Sequence, residues 1–275
     1  MKKIKVNKRG VGLLLVLIGL FFILSLVAPR SSGPHQDIGT LMKDAVLHED
    51  FKIGLLGLEV NPAVVSGFIV TLLILLGALG LRLFLIPKFK FVPSGGQLVL
   101  EEALGLFEGM AREKSPHRHG FLSVYLFCVG TYVFLGTLFE LLGLQALSTG
   151  GASVTLPAPL ADINGALSLG ILSFLVIVSG AIKEHGVRGL GKVLSEFSLP
   201  ISMSFRLFGA LVSGLLVTEM VYHYVFLGYL VPVLVALVFT LLHALIQTYV
   251  LTTLTAVFYG KVSQPKLART PGKKA

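Results

Sequence analysis

Six apolar runs in this chain are each long enough to cross a lipid bilayer as an α-helix, which requires about 20 consecutive apolar residues. Of the 275 residues, 54% are hydrophobic and 13% are charged, and the mean hydropathy is +0.86. Soluble domains are less apolar and carry more charge. We therefore expect an all-α, polytopic membrane protein. The six runs are residues 11–28, 63–86, 121–142, 164–182, 202–224 and 230–259.

The basic residues are distributed unevenly among the segments that connect these runs. Of the 23 basic residues, five lie before the first run, five in 87–120, three in 183–200 and five in 261–275. Lysine and arginine are enriched in cytoplasmic loops. The pattern therefore predicts that the N-terminal tip, these two loops and the C-terminus are cytoplasmic. This topology also explains the net charge of +9, so the basic surplus does not indicate nucleic-acid binding.

The first apolar run permits two interpretations. Basic residues precede run 11–28 and Ala28-Pro29-Arg30 follows it, an arrangement found in both secretory signals and membrane spans. Cleavage would leave five spans, whereas retention would give six. In either case we expect four parts, namely a basic tip with a signal-like or transmembrane segment (1–28), an extracytoplasmic segment (29–62), a membrane domain (63–260) and a basic cytoplasmic tail (261–275).

One cytoplasmic segment contains a stretch with a different pattern. Pro93-Ser-Gly-Gly96 is a sequence that interrupts helices. After it, residues 98–111 contain leucine and phenylalanine residues together with three glutamates. The spacing predicts an amphipathic helix that lies on the cytoplasmic face of the membrane.

The usual signatures of soluble catalysis are missing from the sequence. It contains neither a glycine-rich phosphate-binding motif nor a cysteine and histidine cluster with metal-ligand spacing. The single cysteine, Cys128, lies in an apolar run. We therefore expect no cofactor and no metal, and a function in ion movement or partner binding.

A single arginine stands out within the fifth apolar run. Arg206 is the only basic residue between Lys192 and Lys261. A guanidinium at membrane depth costs about 2.5–3.5 kcal/mol on insertion scales, and it does not lose its charge there. One interpretation is a functional cation, and the other is an arginine near the end of a span that extends to the interface. Small residues share its helical face, namely Gly209, Ala210, Ser213 and Gly214, and would let another helix approach closely.

Five motifs follow one another along about residues 60–260. They are Pro93-Ser-Gly-Gly-Gln97, Leu141-Leu-Gly-Leu144, Ala161-Asp-Ile-Asn164, Ser204-Phe-Arg-Leu-Phe-Gly209 preceded by Glu196-Phe-Ser-Leu-Pro200, and the run from Ile246 to Tyr259. In this order they resemble the motifs of subunit a of F-type ATP synthases, and they favour the functional interpretation of Arg206.

The resemblance implies a stator that faces a rotating ring of c subunits. Five core membrane helices are implied, the last two forming a long tilted hairpin along the ring. Two offset half-channels would load and unload protons on the ring carboxylates, with Arg206 separating them and Gln247 matching a functional position of the last helix. Residues 63–260 would then be the ion-translocating domain.

The resemblance also implies partners and a location. The partners would be the c-subunit ring, the peripheral-stalk b subunits, the rest of the complex and the lipid bilayer. The chain would not be an enzyme by itself, because ATP chemistry belongs to other subunits. We expect a bacterial plasma membrane location with a cytoplasmic C-terminus. The residues leave open whether H⁺ or Na⁺ is carried.

Three positions depart from the family pattern. Ala210 stands where the family usually has asparagine, Leu215 where an acid or histidine is common, and Thr240 where glutamate or histidine is common. The outward half-channel would therefore have fewer of the polar lining residues that are usual in the family. We hypothesise that other residues rebuild it. The candidate ion-path residues are Glu140, Asp162, Asn164, Glu196, Glu219, His223 and His243.

Six of these candidates also have a simpler interpretation, all except Glu140. Asp162 and Asn164 are possible N-caps, and Glu196 has a similar capping alternative. Glu219 and His223 sit near a predicted helix end, where they would reach the interface, while His243 has a backbone carbonyl within reach.

Two alternative functions also remain open at this point, a poorly conducting paralogue of the same subunit and an unrelated ion channel or transporter.

Overall fold

The computed structural model describes residues 53–55, 58–93, 95–147, 153–194, 198–224 and 230–264. The first apolar run, most of segment 29–62, Glu196 and most of the basic tail lie outside these residues. Within them the chain forms seven α-helices. They are α1 (Pro62–Gly80), α2 (Gly95–Lys114), α3 (His119–Leu138), α4 (Ile163–His185), α5 (Gly189–Leu194), α6 (Ser198–Tyr224) and α7 (Leu230–Val262).

The helical architecture confirms the prediction of an all-α polytopic membrane protein. Four helical stretches among the described residues are long and apolar enough to cross a membrane, and they match four of the predicted runs. The fifth predicted run, 202–224, lies within the 27-residue helix α6. Helix α6 is not among these four stretches, so it stays a prediction that this run crosses the membrane. The four are Pro62–Lys88, His119–Leu142, Ile163–His185 and Ala236–Val262.

Two short antiparallel hairpins accompany the helices and were not predicted. Strand β1 (Ile53–Leu55) pairs with β2 (Leu58–Val60), and β3 (Gln145–Leu147) pairs with β4 (Ser153–Thr155). A three-residue strand is too short to show the alternation of apolar and polar residues that identifies strands in a sequence.

The predicted amphipathic helix at 98–111 lies within α2. This helix packs on α3 and α7 and buries Gln97 and Ala111, while most of its other side chains are exposed. The helix is therefore present, and its location on the cytoplasmic membrane surface stays a prediction.

Helices α3 and α7 form the most extensively packed pair and run antiparallel to each other. Near one end the rings of Phe121 and Tyr259 lie 6.3 Å apart. Two turns further along α3, a Cβ atom on Gly130 would lie 3.3 Å from the Thr252 methyl carbon. This register brings the far end of α3 beside the first half of α7.

The core that supports α6 and α7 is continuous with α3 and α4. The buried residues of this cluster come from α3, α4, α6, α7 and the loop before α4; they are Val129, Val133, Ala158, Leu160, Ala166, Leu169, Leu207 and Leu251. A second cluster at the other end of the bundle includes Leu122, Ile177 and Tyr259. Burial of these apolar side chains fixes which faces of α6 and α7 point away from the bundle.

Helix α1 is peripheral to this bundle. Its first turns bury Ala63, Ser66 and Val70, whereas the continuation through Leu81–Leu85 is exposed. Most of α1 therefore presents an apolar surface that the described part of the chain does not cover.

Candidate functional site

The orientation of α6 decides where Arg206 lies. Ser204 and Leu207 on this helix are 2% and 1% exposed, respectively, and face the bundle. Successive helical residues are rotated by about 100°. Phe205, Arg206 and Gly209 are accordingly exposed on the outer side of α6. The buried neighbours thus hold the guanidinium at the surface of the bundle.

Arg206 and Gln247 line the same narrow pocket between α6 and α7. The pocket has a volume of about 10 Å³, roughly enough for one water molecule. Gln247 is buried, with 6% of its surface exposed. The other lining residues are Leu207, Val250, Leu251 and Leu254. The structure therefore brings together the two residues that the sequence placed at the centre of the site.

The guanidinium of Arg206 has no ion-pair partner among the residues that the structure describes. A cation next to apolar side chains is stabilised by a nearby carboxylate, which it in turn keeps ionised. Among the described residues the chain does not provide that carboxylate.

The small residues near Arg206 on α6 do not all face the same surroundings. Gly209 and Ser213 are exposed, and a Cβ atom on Gly209 would meet no atom within 4 Å. Gly214 instead approaches α7, since a Cβ atom there would lie 3.8 Å from Cε1 of His243. One part of this face therefore packs against α7, and the other part is open next to Arg206.

His243 bonds to its own helix. Its Nδ1 lies 2.8 Å from the carbonyl oxygen of Phe239, and the two rings stack with centroids 5.9 Å apart. Because a carbonyl oxygen only accepts, Nδ1 carries the proton in this bond. In the neutral ring Nε2 is then an acceptor. The carbonyl bond thus leaves one nitrogen of His243 for water or a proton.

Glu140 lies near the part of α7 that contains His243, although about a hundred residues separate the two in sequence. It is half-buried in the turn Phe139–Leu142, which packs against α7. Gly143 ends this turn with φ of 58°, a left-handed conformation that glycine adopts without strain, and its N–H donates to the Glu140 carbonyl at 3.1 Å. Continued from the two contacts of α3 and α7, the register brings Glu140 to about residues 240–242 of α7.

Asp162 caps α4 and lies away from the Arg206 pocket. One carboxylate oxygen accepts from the N–H of Gly165 at 3.3 Å, and the other accepts from the side-chain amide of Asn61 at 3.4 Å. The carboxylate lines a cavity of about 290 Å³ with Thr71 and Tyr132, and none of the described side chains of α6 and α7 lines that cavity.

The structure describes the remaining candidate ion-path residues only in part. Asn164 is exposed in the first turn of α4. Glu219 and His223 lie on α6, but their side chains fall outside what the structure describes, as does the whole of Glu196. Because Gly214 lies beside His243, the α6 backbone brings residue 219 about one turn further towards the end of the bundle that contains Glu140.

The sequence analysis missed one polar group next to Gln247. The hydroxyl oxygen of Thr248 is buried and has no hydrogen-bond partner among the described residues. Its position inside the motif from Ile246 to Tyr259 was the only available signal, because its burial depends on how α7 packs.

The chain is similar to known proteins over most of its length. The family model described as ATP synthase A chain matches residues 64–260. ATP synthase subunit a of Cereibacter sphaeroides (strain ATCC 17025 / ATH 2.4.3) is 29% identical over 179 residues, which cover 61% of this chain and 69% of the relative. The same protein of strain ATCC 17029 / ATH 2.4.9 shows the same identity and coverage. The family match covers more than half of the chain and includes Arg206 and Gln247, so this chain belongs to the ATP synthase A chain family.

Proposed function

We propose that this chain is the stator of a rotary ATP synthase that passes ions to and from a ring of c subunits, with Arg206 and Gln247 at the ion path. Family membership makes the chain part of the membrane sector of an ATP synthase, with the general role of a proton-channel stator. It also removes the alternative of an unrelated channel or transporter. The half-channels, the ring contact and the roles of individual residues are the proposal.

The observation that carries the proposal is the exposed Arg206, which has no ion-pair partner among the described residues and lies beside the buried Gln247. A permanent cation favours the ionised form of a carboxylate that approaches it. A ring carboxylate arriving at Arg206 therefore releases its proton to the half-channel before it and accepts another only after passing. Because arginine keeps its charge when desolvated, it also repels a proton that would leak straight across.

The open face around Arg206 supports contact with a ring of helices. Phe205, which precedes Arg206 on α6, is 59% exposed although its side chain is large and apolar. Large exposed apolar surfaces mark contacts with lipid or with partner proteins. A ring of helices that carry one carboxylate each would cover this surface and place a negative charge next to Arg206.

The outward half-channel would pass the end of the bundle where Glu140 lies near the part of α7 that contains His243. Glu219 and His223 would continue it along α6, and Glu196 would line the path on the opposite side. Each elementary charge that crosses the membrane contributes about 2.3 kcal/mol per 100 mV. Several crossings must therefore combine for each ATP that the soluble subunits make.

The remaining partners and the location follow from the same proposal. The peripheral-stalk b subunits would hold the chain against the ring. The complex would lie in a bacterial plasma membrane, with the C-terminus of α7 in the cytoplasm.

ATP-driven acidification of inverted vesicles containing the whole complex tests the proposal. The Arg206→Ala variant should assemble normally and show no acidification. Arg82→Ala is the matched control, because Arg82 is an exposed arginine of another helical stretch, the one that continues α1, and should retain wild-type acidification. Equal acidification by Arg206→Ala and wild type would remove Arg206 from the mechanism.

A poorly conducting paralogue is the second candidate. The family's polar residues are replaced at Ala210, Leu215 and Thr240, while Asp162 and His243 are both bonded within the protein. This candidate predicts that the wild-type complex assembles and hydrolyses ATP without acidification, with or without Na⁺. Wild-type acidification that depends on Arg206 would exclude it.

A further inference from the structure

We propose that Gly170 on α4 is a positioning residue that sets the depth and direction of Arg206 on α6. The inference rests on the proposed function of Arg206 and adds a residue in another helix that never touches the ion. Its basis is the close approach of α4 and α6 one half-turn before the arginine.

At Gly170 the two helices are too close for any larger residue. A Cβ atom on Gly170 would overlap the hydroxyl oxygen of Ser204, and it would lie 2.8 Å from the carbonyl oxygen of Pro200. Ordinary van der Waals contact begins at about 3.4 Å. The Pro200 carbonyl belongs to the helix backbone, so an alanine at position 170 would displace α6 by about 0.6 Å even if the serine side chain turned away.

The serine is not free to turn away without loss. Its hydroxyl donates to the Pro200 carbonyl at 2.7 Å, and Ser204 is 2% exposed. A buried hydroxyl that loses its acceptor destabilises the folded protein. Both the backbone and the side chain of α6 therefore transmit a change at position 170.

The contact lies where a displacement affects Arg206 most directly. Ser204 is two residues before Arg206, and the buried Leu207 follows it in the same turn. The pocket that Arg206 shares with Gln247 has room for about one water molecule. A shift of α6 away from α4 changes that spacing and the distance from the guanidinium to a passing carboxylate, and misplacement by 1 Å can lower a rate about a hundredfold.

Two other glycines provide matched controls. A Cβ atom on Gly180, on the same helix α4, would lie 2.6 Å from a ring carbon of Tyr259, so this position is equally crowded but faces the end of α7 far from Arg206. A Cβ atom on Gly77 in α1 would meet no atom within 4 Å. Gly180→Ala thus tests crowding without displacement of Arg206, and Gly77→Ala tests the substitution alone.

The experiment measures proton pumping per ATP hydrolysed in inverted vesicles, normalised to the amount of assembled complex. Gly170→Ala should lower this ratio about tenfold. Gly180→Ala should reduce the assembled amount but keep the ratio, and Gly77→Ala should change neither. A merely structural role for Gly170 would reduce only the assembled amount, as for Gly180, and that result would overturn the proposal.

A rescue variant keeps the proposal testable if Gly170→Ala does not assemble. Ser204→Ala removes the hydroxyl that the new methyl group would overlap, so Gly170→Ala/Ser204→Ala should regain about threefold in the ratio over Gly170→Ala, or restore assembly. A double variant that shows neither gain would overturn the proposal. Arg206→Ala in the same preparation separates the two hypotheses, because pumping by that variant would refute the proposed function, whereas wild-type coupling by Gly170→Ala would refute only the positioning role.

Discussion

Arg118 and Glu184 form an ion pair of 3.2 Å between the start of α3 and the end of α4, and their side chains are 25% and 22% exposed. The guanidinium also lies next to the hydroxyl of the buried Tyr259 on α7. Three helices therefore meet at one charged cluster, at the opposite end of the bundle from Glu140.

This pair should stabilise the assembled bundle more than a surface pair does. Glu184→Gln leaves the Arg118 charge in a partly buried site, so we expect a loss of about 1–2 kcal/mol, between the values for exposed and buried pairs. Thermal unfolding of the purified complex in detergent measures the effect. Glu108→Gln is the control, since Glu108 pairs with Arg112 where both side chains are well exposed, and it should cost about 0.5 kcal/mol or less. Equal melting temperatures for the two variants would contradict the prediction.

Loss of the carboxylates at Glu140 and Glu219 should slow proton flow through the membrane sector. Both would accept and release protons in the outward half-channel, and glutamine does neither. We expect Glu140→Gln and Glu219→Gln each to lower passive proton flux about tenfold in vesicles stripped of the soluble subunits. Glu102→Gln, which changes an exposed carboxylate on α2, should have no effect. Unchanged flux in both test variants would refute this path.

Gly260→Ala should destabilise the contact between the ends of α7 and α2. A Cβ atom on Gly260 would overlap the carbonyl oxygen of Lys114, and nearby Ser263 and Ser115 are hydrogen-bonded through their hydroxyls at 3.3 Å. Overpacking at such a site costs about 1–3 kcal/mol, which thermal unfolding of the purified complex would detect. Gly105→Ala on α2 meets open space and is the control, expected to be neutral or slightly stabilising. A neutral Gly260→Ala would show that the helix ends separate readily.

Gln97→Ala should remove the hydrogen bonds that hold Lys90, in the segment before α2, against this helix. The Gln97 amide accepts from the N–H of Lys90 at 3.0 Å and donates to its carbonyl at 2.9 Å, and it also donates to Glu101 at 2.7 Å. Hydrogen exchange measured by mass spectrometry should then be faster for the amide of Lys90, because its only described acceptor is removed. Glu101→Ala keeps the two bonds to Lys90, so the exchange rate there should stay near that of the wild type. Equal exchange in all three proteins would contradict the role assigned to Gln97.

Some features of the site were predictable from local sequence alone. Arg206 is conspicuous because a cation inside an apolar run is costly, and Gln247 belongs to a motif that also identified the family. The apolar runs predicted four of the membrane helices for the same reason, since a bilayer requires a minimum length of apolar helix. By contrast, the two hairpins have strands too short for periodicity to show.

Other features depend on residues that are distant in sequence. The spacing around Asp162 allowed both a cap and an ion-path role, and only the fold showed that it caps α4, bonds Asn61 and lies outside the Arg206 pocket. Likewise, Glu140 lies near the part of α7 that contains His243 because α3 and α7 pack in one particular antiparallel register.

The sequence by itself indicated the class of the protein and made Arg206 conspicuous, because the cost of a charge in an apolar run and the need for about 20 apolar residues per span are local properties. The family and the prediction for Gln247 came from the resemblance of its motifs. Only the tertiary structure decided that Arg206 is exposed beside the buried Gln247. That outcome depends on which face of α6 packs against α4, and the close approach at Gly170 sets this face through contacts between helices that no single segment specifies.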